Sequence, residues 1–230
     1  MSVNSSAKQT PRSAELRVGG LARLSMCDWP GELVATVFCQ GCPWACGYCH
    51  NPHLIPPNAE PAIDWPDVLA FLGSRRGMLD GVVFSGGEPT LQSALPDAMR
   101  AVRALGFRIG LHTAGPYPER LAAVLPLVDW IGFDVKAAFD EYARITGAPG
   151  SGAKARASLV RVLDSGVACD VRTTVHEALL NGDALARLAA DLAALGVPEH
   201  RLQPFRAAGC TTAALLPPRQ AASHPAAGSE

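Results

Sequence analysis

No stretch of this sequence is apolar for long enough to cross a bilayer, so a membrane-spanning role is not expected. Neither sign of charge dominates. Twenty Lys and Arg stand against 21 Asp and Glu, a formal net charge of −1, which gives no electrostatic footprint for nucleic acid or an anionic membrane surface. The polar opening, residues 1–13, has no apolar core of the kind a signal peptide needs, so export is not expected. A second, separated pair of cysteines, the usual companion in a structural zinc site, is also missing. The seven cysteines are odd in number, and without a sign of secretion their natural compartment is a reducing cytoplasm.

What is present is a cysteine-rich loop, Cys39-Gln-Gly-Cys42-Pro-Trp-Ala-Cys46-Gly-Tyr-Cys49-His-Asn-Pro52, directly after the β-branched run of residues 33–38. Cysteines three and four apart on a loop can wrap one centre, because each thiolate lies a short turn from the next. Iron–sulfur clusters are held by Cys thiolates in such spacings. Cys42, Cys46 and Cys49 offer three thiolates to a four-iron cube and leave one iron for another ligand. Zinc closed by Cys39, a disulfide framework and inert buried thiols are the alternatives. For Cys39 alone, and for the scattered Cys27, Cys169 and Cys210, packing is the expected role.

At 230 residues and 48% hydrophobic, the chain can build one sizeable core. Residues 1–13 read as a disordered lead-in and 217–230 as a frayed tail, leaving 14–216 as one domain. Within it, residues 15–26 suggest a short strand or hairpin, and 51–64 a proline-rich, non-helical excursion. Strands are expected at 33–38, 81–85, 107–112, 130–135, 168–175 and 201–206. Helices are expected from Asp64, around Leu95, Met99 and Val102, and over 118–125, 154–164 and 183–195. Six strands alternating with helices predict an α/β fold, an incomplete (β/α)6 TIM-like barrel of parallel strands with a lateral opening. A doubly wound open sheet would suit the same alternation.

The unusual polar groups fall at predicted strand ends, where both folds bind ligands. Gly86-Gly-Glu-Pro89 follows the second strand, and its paired glycines permit close backbone approach to a ligand. Glu88 could receive a ligand ammonium. His112-Thr113 ends the third strand, Asp134-Val-Lys136 the fourth, Arg172 lies in the fifth, and Arg206 ends the sixth. Singly each is ordinary; an isolated Asp-x-Lys, for one, is usually a solvated pair.

The Cys42-x3-Cys46-x2-Cys49 set with aromatic Tyr48, joined to Gly86-Gly-Glu-Pro89, resembles the radical S-adenosylmethionine superfamily. Ser25-x2-Asp28-Trp-Pro-Gly31, Phe38-x-Gln-Gly-Cys42, Cys49-His-Asn-Pro52, Phe84-Ser-Gly-Gly-Glu-Pro-Thr90 and Asp134-Val-Lys136 are similar to the glycyl-radical-enzyme activases. Among these the resemblance is nearest to the activating proteins of anaerobic ribonucleoside-triphosphate reductase, and it covers about residues 16–210.

The resemblance implies a [4Fe–4S] cluster on Cys42, Cys46 and Cys49, its fourth iron chelated by the amino and carboxylate groups of S-adenosylmethionine. Backbone around Gly86, Gly87 and Glu88 would hold the methionine amino end, and Tyr48 with its neighbour His50 would lie near the adenine. Thr113, Asp134, Lys136, Arg172 and Arg206 would complete the cofactor contacts. Reductive cleavage to a 5′-deoxyadenosyl radical would then place a radical on a glycine of a partner enzyme, with a flavodoxin- or ferredoxin-type protein as electron donor. No side chain is assigned as general acid or base, because the cofactor carries the chemistry. One departure stands out. Related activases often carry Asp-Thr-Asn-Gly where this chain reads His112-Thr113-Ala114-Gly115, so two oxygen ligands are lost, and a His112 ring nitrogen could take over the interaction. A pyruvate formate-lyase-type activase, a radical enzyme acting on a small molecule, and a zinc-binding interaction module stay open as alternatives.

Overall fold

The computed structural model describes residues 15–216; the expected lead-in at 1–13 and tail at 217–230 lie outside the described residues. Seven strands form one sheet in chain order: β1 (Val18–Ser25), β2 (Val34–Cys39), β3 (Gly81–Gly86), β4 (Arg108–Thr113), β5 (Trp130–Asp134), β6 (Ala168–Val175) and β7 (His200–Pro204). Strands β2 to β7 are parallel, each paired with the next, as the alternating pattern predicts. The 15–26 segment is the antiparallel edge strand β1 on β2. Among the described residues no ladder joins β1 to β7, so the barrel is left open along one side.

The helices α1 (Trp65–Gly73), α2 (Leu95–Ala104), α3 (Pro118–Val124), α4 (Tyr142–Thr146), α5 (Ser151–Ser165) and α6 (Gly182–Ala194) cross between parallel strands. Proline opens the first turn of α1, α2 and α3, where its fixed φ suits the helix and no intrahelical N–H is lost. Only α4 has no counterpart in the hydrophobic pattern; at five residues it is too short to show a period.

Alternation along each strand divides the interior in two. Ala35, Val37, Val82, Phe84, Ile109, Leu111, Ile131, Phe133 and Val171 point outward into one large core with the helices. The other face lines the lumen. Its floor is a separate small cluster of Trp29, Val34, Val83 and Trp130, with the Trp29 and Trp130 rings stacked at 5.5 Å and 15°. Trp29 arrives from the β1–β2 turn, and lumen glycines make room for it. A Cβ at Gly110 would stand 2.9 Å from the Trp29 ring, and one at Gly81 would stand 3.1 Å from it. One layer higher, a Cβ at Gly132 would stand 2.8 Å from His112 and 2.9 Å from the Arg172 guanidinium. Three glycines on three successive strands thus clear the lumen for three large side chains that enter from elsewhere.

Candidate functional site

The cysteine loop leaves the C-terminal end of β2 and is tied down along its length. Gly41 N–H donates to Leu54 O at 2.7 Å, Cys42 N–H to Ile55 O at 3.0 Å and Ala45 N–H to Thr146 O at 3.0 Å. Trp44 packs edge-on against Tyr142 at 5.8 Å. The loop forms one wall of a pocket at the strands' C-terminal ends. Cys42, Cys46, Tyr48, Cys49 and His50 line that wall, facing Gly86, Gly87, Glu88, Thr113, Asp134, Lys136 and Arg172. Of the residues expected at the site, only Arg206 lies outside the pocket. Strand β7 stops at Pro204, and Arg206 is exposed in the segment beyond it. The sequence pattern runs two residues past the strand because Phe205 continues its apolar character.

Asp134 and Arg172 are register partners on β5 and β6, both facing the lumen, so the ion pair follows from the ladder. Arg172 Nε donates to Asp134 Oδ1 at 2.6 Å, and Lys136 Nζ approaches Asp134 Oδ2 at 3.4 Å. Burial works against the Asp134 charge, but the two cations outweigh it and hold the carboxyl below the ordinary range. Lys136 also lies 5.5 Å from the centre of the Tyr48 ring, a cation–π contact.

Two expectations change on this geometry. The Glu88 carboxylate is 2% exposed and accepts from Thr90 N and Oγ1 at 3.1 and 2.5 Å, Thr113 Oγ1 at 2.8 Å and Ala114 N at 3.1 Å. Four internal donors leave little of it for a ligand ammonium, and it acts instead as the staple between the β3 and β4 loops. The paired glycines also serve the protein's own backbone. A Cβ on Gly86 would stand 2.4 Å from Cys39 N, and one on Gly87 2.2 Å from Gly41 O. Gly87 and Glu88 donate their amides to Cys39 O and Gly41 O, which fixes this turn against the root of the cysteine loop.

His112 has both ring nitrogens engaged inside the lumen, so neither is free to replace a lost oxygen ligand. Nε2 donates to Asp28 O at 2.7 Å and Nδ1 accepts from Ser85 Oγ at 3.1 Å. Burial and then the nearby Arg172 charge lower its pKa to about 4, which keeps the ring neutral. Asp28 and Ser85 are the partners the motif reading did not supply. Asp28 also accepts from Thr36 Oγ1 at 2.6 Å.

The donor set fits an iron–sulfur cluster with a polar cofactor beside it. The three loop thiols are free and partly buried, and burial raises Cys42 to about 12 and Cys46 above its usual value. A bound cation reverses that logic and deprotonates a coordinating thiol. Two buried polar atoms of the pocket residues, Tyr48 Oη and His50 Nε2, find no hydrogen-bond partner among the described residues, a cost that a polar ligand would relieve. Cys39, fully buried in the helix-side core, takes no part in the pocket.

Comparison with known proteins decides the family. The profile of the Radical SAM superfamily matches residues 36–188. The chain belongs to this superfamily. Radical SAM enzymes use a [4Fe–4S] cluster and S-adenosylmethionine. A Methanocaldococcus jannaschii protein, provisionally named a glycyl-radical enzyme activating enzyme, is 30% identical over 169 residues, 68% of this chain and 67% of that one. The pyruvate formate-lyase-activating enzyme of Clostridium pasteurianum is 31% identical over 137 residues, 57% of each chain. The match therefore spans between about half and two thirds of these relatives.

Among solved structures, QueE from Escherichia coli superposes with a TM-score of 0.53 at 18% identity, over 84% of this chain and 86% of that one. Streptococcus suis SuiB bound to S-adenosylmethionine gives 0.57 at 12% identity, over 73% and 39%. At such identities the likeness is one of fold, and that fold is the partial barrel of radical SAM enzymes.

Proposed function

We propose that this radical SAM enzyme activates a glycyl radical enzyme, and that its partner is an anaerobic ribonucleoside-triphosphate reductase. The observation that carries the reading is the single pocket in which Cys42, Cys46 and Cys49 face the Asp134–Lys136–Arg172 charges, in a chain whose relatives are named for glycyl-radical enzyme activation. Cys42, Cys46 and Cys49 would hold three irons. When bound, the reduced cluster and S-adenosylmethionine supply one-electron cleavage of a carbon–sulfur bond and, with it, hydrogen-atom abstraction.

The protein's own part is ligation, orientation and exclusion of water. Lys136 offers an ammonium to the cofactor carboxylate, while Asp134, pinned by Arg172, offers an acceptor to ribose hydroxyls. Backbone carbonyls around Gly86 and Gly87, rather than the Glu88 carboxylate, would receive the amino group, because an ammonium needs acceptors and that carboxylate is engaged. Thr113, donating to Glu88, shapes the same turn. Tyr48 and His50 would frame the adenine with their unpartnered polar atoms. The open side of the barrel suits a substrate that arrives as a loop of another protein. A flavodoxin- or ferredoxin-type protein in a reducing cytoplasm would supply the electron. No helix among the described residues is long and apolar enough to cross a membrane.

The likeness to a pyruvate formate-lyase-activating enzyme favours a second reading, in which the partner is of the formate-lyase type. One experiment separates the possibilities. The protein is reconstituted anaerobically with iron and sulfide, reduced, mixed with S-adenosylmethionine and each candidate partner, and examined by electron paramagnetic resonance. A glycyl radical on the reductase alone, with one 5′-deoxyadenosine per radical, supports the first reading, and a radical on the lyase alone the second. Cofactor cleavage with neither partner radicalised would point to a small-molecule substrate. Ser at Cys42, Cys46 or Cys49 should abolish iron retention, and a colourless wild-type protein would overturn the cluster assignment itself.

A further inference from the structure

The chain beyond β7 turns back over the far half of the cysteine loop and meets it at three places. Phe205 stacks on the His50 ring at 5.5 Å and 25°, and His176 closes edge-on behind Phe205 at 5.1 Å and 78°. Gly209, at φ +82°, lies so close that a Cβ there would stand 2.1 Å from the His50 carbonyl oxygen. Cys210 Sγ, at 3.6 Å, and Thr212 Oγ1 both donate to the Gly47 carbonyl. Leu215 is buried at the end of the segment and anchors it.

These contacts have a counterpart on the other half of the loop, where Leu54, Ile55 and Thr146 hold the amides of Gly41, Cys42 and Ala45. Between Ala45 and Asn51 the loop carries one internal backbone bond outside regular structure, Cys49 N–H to Cys46 O at 3.0 Å. Tyr48 is held through its side chain, buried in the core and against Lys136, while the Gly47 and His50 backbone on either side of it, next to Cys49, is held from outside the loop by the 205–212 segment. That segment lies outside the stretch matched by the superfamily profile, residues 36–188.

We infer that residues 205–212 form a clasp whose work is to position Cys49 and its neighbours for cluster ligation, with Phe205, Gly209 and Thr212 as positioning residues. The clasp rests on the cluster reading for its purpose, but its mechanical effect is measurable without a cluster. A loop released from its clasp exposes its thiols more often, so the reactivity of Cys49 reports the clasp directly.

The test uses the full-length protein, reduced and metal-free, with iodoacetamide alkylation followed cysteine by cysteine by mass spectrometry. Gly209→Ala should speed alkylation of Cys49 by about tenfold or more. Thr212→Val, which removes one hydrogen bond, should speed it by roughly two- to tenfold. Buried Cys39 in the same molecules should react at its wild-type rate, which separates a local release from general destabilisation. In the iron-loaded protein the same variants should lose iron to a chelator faster and broaden the reduced cluster's paramagnetic signal. Equal Cys49 rates in wild type and variants would overturn the clasp, as would parallel acceleration at Cys39 and Cys49. If Gly209→Ala does not fold, Thr212→Val and Phe205→Leu decide the matter by the same comparison. A wild-type protein that takes up no iron would end the cluster reading, while the alkylation ratios would still judge the clasp.

Discussion

The floor of the lumen makes a quantitative demand. Gly110 faces the Trp29 ring so closely that an added methyl would stand 2.9 Å from Cε3 and the same distance from Val83 Cγ2. Gly110→Ala is therefore an overpacking change, worth about 1–3 kcal/mol of destabilisation, slightly offset by the lower entropy of an unfolded Ala. Trp29→Leu replaces the stacked indole of a residue that is 6% exposed with a smaller aliphatic group, and should cost about 3 kcal/mol. If the clash with the indole is the reason for the glycine, the two changes cannot add. The double variant loses the offending ring, keeps only the Val83 contact, and should be about 1 kcal/mol more stable than the sum predicts. Equilibrium urea unfolding of the four proteins gives the coupling, provided the slopes agree. Additivity within about 0.3–0.5 kcal/mol would refute the argument that Trp29 dictates this lumen glycine.

Three further outcomes follow from the pocket. His112, held neutral with a pKa near 4 against an ordinary 6.5, binds its proton more weakly folded than unfolded. Stability should therefore be unaffected by His112 above about pH 6.5 and fall by about 3 kcal/mol as pH drops toward 4, a slope that His112→Asn should flatten in urea titrations at stepped pH. Arg172→Met leaves the partly exposed Asp134 carboxylate beside one remaining cation and should cost about 1–3 kcal/mol, whereas a change below about 1 kcal/mol would mean that the pair is solvent-screened. Glu88→Gln turns a carboxylate that accepts four donors into an amide with one accepting oxygen. It should cost about 1–3 kcal/mol by thermal or urea unfolding, and cofactor affinity should fall no further than the loosened turn explains.

The parallel frame was legible because each unit carries its own signal, an apolar run of strand length followed by an amphipathic helix opened by proline or closed by glycine. The pocket wall was legible for a different reason: chemistry-bearing residues at strand ends must share one rim in any parallel barrel. What sequence could not convey were contacts between residues far apart in the chain. Asp28 reaches His112 across 84 positions through a backbone carbonyl, and no side-chain type announces that. The same holds for Gly209, whose demand is set by the His50 carbonyl. Arg206 shows the converse failure, since an arginine after a strand pattern reads as a rim residue even when the strand ends two positions earlier.

These misses have a common physical origin, and it bears on how the site is held. A side chain's place along the barrel axis can be counted from the strand's start, but whether it is free for a ligand depends on which partners arrive from elsewhere. Ser85, His112 and Arg172 all line the pocket, yet His112 is filled from below by Asp28 and from the side by Ser85. The Arg172 guanidinium fits beside it only because Gly132 supplies no side chain. Arg172 in turn fixes Asp134, which faces the cysteine loop. The lumen thus carries a continuous chain of contacts from the Asp28 turn at the floor to the acid at the rim. Rigid support of this kind lets one pocket hold two buried cations and a carboxylate in fixed geometry before any cofactor enters, and preorganisation lowers the cost of binding. The prediction peculiar to such a chain is that Gly132→Ala, which changes no expected iron ligand, should displace His112 and Arg172 together. Cofactor binding measured by calorimetry should then weaken by about tenfold or more while iron content stays at the wild-type level. Equal loss of iron and cofactor would mean that the substitution merely unfolds the barrel, and no loss of either would mean that the rim is fixed by the loops alone.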